Sequence, residues 1–376
     1  MSASYGEGLR RFIYNNASIH SIVDYSDVKV FEEASTYPIL SFIKKEKIKD
    51  YKISIGKFDN EVGTLTFKKK SSQKLNFTEG YIWGFLLNEK IGITEKVFSQ
   101  SVPITKVCKI NATSTTSEAD AYHSLINERG GFKLINTGTI DRYSNTWGKG
   151  LLTDKGKKFK KPYLPFNSEK ISNNRNQLYS SPKIIFAKIA LRAEPFYDYK
   201  GKYASINTNC FHSFSPDFDP RYILSWVNSK LFQFTFECFF EGLKMQGGYL
   251  LYSAPNLSCM VMKKIEKKAQ EPFINIVDYI ITNKMSDKDS AFFERLIDAM
   301  VYELYLPEAI QKANCEVLKH LNNLPELKDG DDESANWRMK TIEKVYKELS
   351  DPRHPVSEAL LKLLNVPEVA IIEGRK

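Results

Sequence analysis

The middle of this chain has little acid. Residues 133–200 carry 14 Lys and Arg against 5 Asp and Glu, a surplus of nine, and the whole 376-residue chain has a formal charge of +9. Everything outside that stretch therefore sums to zero. Residues 266–376, with 16 basic against 21 acidic side chains, are net acidic. The shortage of compensating carboxylates excludes charge spread evenly for solubility and argues for one anion-binding face.

Other absences narrow the chemistry. The five cysteines, Cys108, Cys210, Cys238, Cys259 and Cys315, contain no Cys-x-x-Cys pair and read as free thiols in a reducing, cytoplasmic compartment. The five histidines, His20, His123, His212, His320 and His354, lie too far apart for zinc-site spacing. The sequence has no G-x-x-x-x-G-K-[ST] phosphate loop and no G-x-S-x-G nucleophile elbow. The most apolar long run, residues 222–240, is broken by Asn228, Ser229, Lys230 and Gln233, so no membrane span is expected. With 42% hydrophobic residues the chain can still build two or three domain cores.

What is present centres on residues 130–165. An apolar β-like segment, 132–135, leads into a turn-rich run, and the stretch carries Arg142, Tyr143, Trp147 and seven lysines. Lysines supply phosphate contacts and hence affinity, while aromatics and amides among them can reach bases, so the composition fits a nucleic-acid surface. The alternative is a set of lysine-rich turns that are merely solvated.

The remainder reads as mixed α/β. Residues 9–16 have a helical pattern. The run YPILSFIK, 37–44, is continuous rather than alternating, as a strand covered on both faces would be. Fifty residues cannot supply the neighbours such a strand needs, so the opening reads as the torn edge of a larger sheet. Residues 51–67 alternate, with Leu65 and Phe67 on one face and Thr64 and Thr66 on the other, which suits a half-exposed hairpin. KIIFAKIA, 183–190, and YASINT, 203–208, are β-rich. Behind Pro220, Ile223, Trp226, Val227, Leu231, Phe234 and Cys238 recur at three- and four-residue intervals, one apolar helix face and a core stripe. From about residue 273 the chain turns helical. An amphipathic helix through Phe293, Met300 and Leu304 stops before Pro307; helices over 307–321 and 337–349 flank an acidic loop at 329–333, and Leu360 marks a last one. A metal-dependent nuclease needs carboxylates with a nearby lysine, and Asp217 with Glu266 and Lys268 meets that formally across a long interval.

Four segments, in order, carry a family resemblance. Residues 5–45 look like the last helix and strands of a methyltransferase domain. INTGTIDRYSNTWG, 135–148, resembles the start of a target-recognition domain. The run from KIIFAKIA through YASINTNCFH to YILSWVNSKLFQF resembles that domain's central strands and its helix, here with Val227-Asn228-Ser229-Lys230. FFERLIDAMVYELYL is similar to the helix that closes these proteins. The family is the C-terminal region of the type IIG restriction-modification adenine-N6 DNA methyltransferases, with its TaqI-like specificity domain.

The resemblance implies an α/β mixed fold: a remnant Rossmann-like methyltransferase edge over residues 1–75, a mixed α/β target-recognition domain over 76–265, and a helical C-terminal domain over 266–376. The implied partner is double-stranded DNA at a short specific site, read in the major groove. Lys149, Lys155, Lys157, Lys158, Lys160 and Lys161 would contact phosphates; Arg142, Asn145, Arg175, Asn176 and Gln177 are the candidates for base edges, and Tyr143 and Trp147 complete the DNA-binding set. The family's Asn-Pro-Pro-Tyr catalytic motif and its glycine-bearing S-adenosylmethionine loop occur nowhere in this sequence. No catalytic, cofactor-binding or metal residue is therefore assigned; S-adenosylmethionine and magnesium are expected only in a full-length parent. The implied function is DNA sequence recognition without catalysis by this chain alone, with a methyltransferase or nuclease domain joining in cis or in trans. Two alternatives stand beside it. One is a subunit of a split DNA methyltransferase, or a magnesium-dependent nuclease using Asp217 and Glu266. The other is a protein-interaction scaffold docking through Phe293, Met300 and Tyr305.

Overall fold

The structure is a computed structural model and describes residues 4–375 apart from 26–27, 29, 33–37, 60–61, 79, 81, 89, 241–243, 287 and 328–331. Two compact units divide the chain, the first formed by residues 1–95 and 235–250, the second by 96–234 and 251–376.

In the first unit, the helix Glu7–Asn16 leads into four strands, β1 (Ser18–Asp24), β2 (Ile39–Lys44), β3 (Lys52–Asp59) and β4 (Thr64–Ser71), arranged β2-β1-β3-β4. β1 and β3 run parallel; the outer pairs are antiparallel. Ile19, Ile22 and Val23 of β1 and Ile53 and Ile55 of β3 are buried, so the central pair supplies the core. The expected strand at 37–44 forms from Ile39, Tyr37 lying outside the described residues, but it is not covered on both faces. It lies at the sheet edge with Leu40, Phe42 and Ile43 exposed. Apolar continuity says that a strand avoids water on both faces; it does not supply the second neighbour that burial requires. The expected hairpin is β3 with β4, although Leu65 and Phe67 are exposed, so β4 has no buried face.

The second unit is also mixed. Its strands include β5 (Val102–Pro103), β6 (Lys109–Ala112), β7 (Phe132–Asn136), β8 (Ile140–Asp141), β9 (Ser144–Asn145), β10 (Leu152–Asp154), β11 (Lys157–Phe159) and β12 (Tyr163–Leu164). They continue with β13 (Lys183–Ala187), β14 (Ile189–Ala190), β15 (Pro195–Asp198), β16 (Tyr203–Ile206) and β17 (Thr208–His212). One sheet, β15-β13-β17-β6, is antiparallel throughout, and every residue of its strand β13 is buried. The other, β12-β7-β16, pairs β7 antiparallel with β12 and parallel with β16. Its inner face, Phe132, Leu134, Leu164, Ala204 and Ile206, packs with Tyr122, Leu152 and Tyr179 in one apolar cluster.

An ion pair buried from water joins the sheets. Lys183 Nζ donates to Asp198 Oδ2 at 2.6 Å and to the carbonyls of Tyr179 and Ser181 at 2.8 and 3.2 Å. Asp198 also accepts from the backbone N–H groups of Lys202 and Tyr203, at 2.9 and 3.0 Å. Both charges are thus paired and hydrogen-bonded, the condition under which burial is tolerated. The intervening turn needs Gly201: its φ is +59°, and a Cβ there would stand 2.1 Å from the Ser180 carbonyl oxygen.

The apolar stripe behind Pro220 forms two helices rather than one. Asp219 caps Pro220–Asn228 by accepting from Arg221 N at 2.8 Å; Ser229 is extended, and Lys230–Phe240 follows. The break is stabilised by Ser229 Oγ accepting from Phe232 N at 3.1 Å and by Asp298 Oδ1 accepting from Lys230 N at 2.8 Å. Ile223, Trp226, Val227 and Leu231 are buried all the same, with the Trp226 ring stacked 4.6 Å from Tyr305. The C-terminal helices are Lys267–Met285, Ala291–Tyr305, Pro307–Lys312, Asp332–Leu349, Pro355–Lys362 and Pro367–Ile372. The helix expected over 307–321 ends early because Asn314 takes φ +50° just beyond it, a left-handed stop. Residues 329–331 of the expected acidic loop lie outside the described residues. Among the described residues no helix is long and apolar enough to cross a membrane.

Asp198→Ala strips Lys183 of the carboxylate it pairs with while leaving it buried, and is expected to cost about 3–5 kcal/mol, measured as a lower urea midpoint. Lys183→Met is expected to cost less, because Asp198 keeps its two N–H donors. Equal losses would show that the charge pair does not set the balance.

Candidate nucleic-acid interface

The basic stretch folds as two hairpins between β7 and β12. β8 pairs with β9 around Arg142 and Tyr143, and β10 pairs with β11 around Lys155 and Gly156. Lys155 and Gly156 have φ of +43° and +80°, the left-handed pair that matches the twist of a two-residue hairpin. Alternation then sorts the strands. Leu152 enters the apolar cluster with Phe159 packed against it, whereas Thr153, Lys157 and Lys158 face water.

The hairpin is anchored beside its turn by acid. Asp154, buried, lies 2.5 Å from His123 Nδ1, and His123 Nε2 is 3.3 Å from Asp120. Asp120 also pairs with Lys155 at 3.1 Å across open surface. Beyond the hairpin, the backbone N–H groups of Lys160 and Lys161 both donate to Glu128 Oε1 at 3.1 Å. The side chains of Lys157, Lys158, Lys160 and Lys161 are exposed, and they make no ion pair with a described residue. Lys149 is exposed on the preceding turn. Lys157, Lys158, Lys160 and Lys161 therefore present cations without a paired carboxylate among the described residues, whereas Lys155 is paired with Asp120. Residues 133–247 match the family model of the TaqI-like C-terminal specificity domain.

The specificity-domain segment begins in β7 and takes in both hairpins, β13 to β17 and the helix Pro220–Asn228. Comparison with curated proteins gives no match. Among solved structures, the crystal structure of the type IIG restriction endonuclease BpuSI is similar at 11% identity, covering 82% of this chain and 46% of that one, with a TM-score of 0.33. The chain thus spans less than half the length of that enzyme.

Within the matched segment Arg142 and Arg175 turn inward, against the base-reading role expected of them, while Arg192 is exposed. Arg142 pairs with Glu294 at 2.7 Å and donates to the Asn228 carbonyl at 2.6 Å. Its neighbour Tyr143 is buried, at 2% exposure, in a backbone of φ +61°. Arg175 makes a forked contact with Glu118, at 2.9 to 3.1 Å, and donates to the Ala112 carbonyl at 2.6 Å. Asn176 is buried in the helix Asn173–Ser180, accepting from Asn167 N and donating to the Ile171 carbonyl. A guanidinium with a carboxylate and a carbonyl already in its fork has few donors left for a base edge. Gln177 on that helix is exposed, and Asn145 and Trp147 are half-buried. Asn145 Oδ1 accepts from Trp147 N at 3.1 Å, and Trp147 Nε1 donates to the Pro162 carbonyl at 2.8 Å.

The structure also bears on the alternatives. Phe293, Met300 and Tyr305 are core residues at 1% exposure or less and present no docking face. Asp217 is ion-paired with Lys264, and no group of three His, Cys, Asp or Glu able to hold a metal occurs among the described residues. Lys133 and Tyr163, which lie beside Trp147, and Tyr203, which flanks Lys133, escaped the sequence reading, as did Lys202. Only the alternation of Phe132, Lys133 and Leu134 hinted that Lys133 would face outward.

The Arg142 anchor contains a titrating group. Burial pushes the Asp298 carboxyl up to about 6, against the opposing pull of the Lys230 N–H and the Arg142 charge. A carboxyl raised in the folded state holds its proton more tightly there than in the unfolded chain. Its contribution is therefore most favourable below its ordinary value of 3.8 and is lost as pH rises through about 6. The loss should be on the order of 2–3 kcal/mol. Asp298→Asn, which can still accept from Lys230 N, is expected to flatten that part of the stability profile. An unchanged slope of melting temperature against pH in the variant would refute the assignment.

Proposed function

We propose that this chain is the sequence-specific, double-stranded-DNA recognition module of a restriction-modification protein. The observation that carries the reading is the coincidence of the specificity-domain match with the lysine surplus of residues 133–200 and its exposed hairpin. A lysine ribbon of this kind neutralises phosphates and positions a protein on a duplex. Two-stranded ribbons are also narrow enough to enter the major groove, where all four base pairs differ. In this reading Lys149, Lys155, Lys157, Lys158, Lys160 and Lys161 track the backbone. Asn145 and Gln177, whose amides can pair bidentately with adenine, are the base-reading candidates that remain at the surface.

The finer part of the proposal is an adenine-N6 methyltransferase parent. The Asn-Pro-Pro-Tyr motif and the S-adenosylmethionine loop would then be supplied by a methyltransferase domain in cis or in trans, since this sequence has neither. The exposed Leu40, Phe42 and Ile43 on the edge strand β2 support a neighbouring domain that pairs with residues 1–75.

Replacing Lys157, Lys158 and Lys160 together with glutamate is expected to weaken binding to every duplex. It should also reduce the slope of log affinity against log salt by about one per lost contact. Titration of labelled duplexes by fluorescence anisotropy reads both. Wild-type affinity for random duplex in that variant would remove the ribbon from the interface.

A further inference from the structure

The outward side of β12-β7-β16 carries a row of side chains that the lysine hairpin does not explain. Register sets Tyr163 of β12 and Tyr203 of β16 on either side of Lys133 in β7. The three share one face, opposite the face that Phe132, Leu134, Leu164 and Ala204 bury. Trp147 completes the row, its ring edge-on to Tyr163 with centroids 5.1 Å apart. The Lys133 ammonium lies 4.5 Å from the centroid of Trp147 and 5.5 Å from that of Tyr203. It has neither an ion pair nor a hydrogen bond with any described residue.

Lys133 is thus a half-buried cation held between ring faces, with a second cation beside it. Burial and then the charge of Lys202 both favour loss of its proton. Asp198 pulls the other way, but its carboxylate is occupied by Lys183 and by the backbone N–H groups of Lys202 and Tyr203. Lys202 is exposed and likewise has no ion pair with a described residue. Two neighbouring cations, one of them held against aromatic rings, are relieved by an anion that replaces lost hydration and cancels their repulsion. The walls favour an anion with flat, weakly polar flanks, as a phosphodiester has in its sugars. Strand register and ring contacts already hold Lys133 still, so binding costs it less freedom than it costs a solvated lysine.

We propose that Lys133, held among Trp147, Tyr163 and Tyr203, forms with the neighbouring Lys202 a phosphodiester-binding site that takes one backbone phosphate of the bound duplex, separate from the lysine hairpin. This rests on the duplex-binding reading given above.

The test is anisotropy of a labelled duplex between about 50 and 200 mM salt, with Lys133→Met, Lys202→Met and Lys133→Arg. Each methionine variant is expected to weaken low-salt affinity about tenfold and lower the salt slope by about one, while Lys133→Arg keeps the wild-type slope. Duplex binding should also change tryptophan emission, and Trp147→Phe should abolish that change. Lys202→Met, altering an exposed side chain, guards against a folding defect at Lys133. Wild-type affinity and slope in both methionine variants, alongside weakened binding by the hairpin triple variant, would overturn this site and leave the duplex reading standing. A wild-type chain that binds no duplex would overturn both.

Discussion

The Asp198 carboxylate holds the interface in register. On one side it neutralises Lys183 of β13; on the other it accepts from the N–H groups of Lys202 and Tyr203, fixing where β16 begins. The Lys202 carbonyl in turn accepts from Lys133 N at 2.8 Å, so the same carboxylate governs how β7 lies against β16. Register is decisive there because side chains alternate. A slip of one residue would drive Lys133 into the apolar cluster and turn Phe132 and Leu134 to solvent. A charge buried beneath the basic surface thus determines which cations reach that surface.

Arginine and lysine behave differently in the basic stretch. Two guanidinium groups each find a carboxylate and a carbonyl: Arg142 takes Glu294 and Asn228, and Arg175 takes Glu118 and Ala112. Both tie together elements distant in sequence, whereas Arg192 stays exposed. Apart from the buried Lys183, the lysines, strongly hydrated point charges on flexible stems, crowd the β10-β11 hairpin and the turn after it. The surface charge there is consequently lysine, suited to phosphates, and base discrimination falls to the few amides and aromatics left beside it.

Local signals in the sequence translated well where no remote group competed. The β3-β4 hairpin, the β-rich strand β13 and the helix Ala291–Tyr305 all formed where alternation, composition or a three- and four-residue apolar spacing pointed. Two signals were overridden. The apolar run at β2 became an exposed edge, and the periodic stripe through Ile223 and Cys238 was interrupted at Ser229, where a cap from Asp298 competes with helix continuation. That competitor lies far along the chain, beyond the reach of any local pattern.

Counting residues was enough to find a basic middle, an acidic helical end, and a mixed α/β chain with its cations around residues 133–200. Charge and periodicity are properties of neighbours in sequence, and those survive folding. Tertiary structure alone decided that Arg142 and Arg175 are sequestered and that Lys133 meets Trp147 and Tyr203. Burial and strand pairing are settled by groups remote in the chain, and a cation's availability depends on which carboxylate folding brings to it.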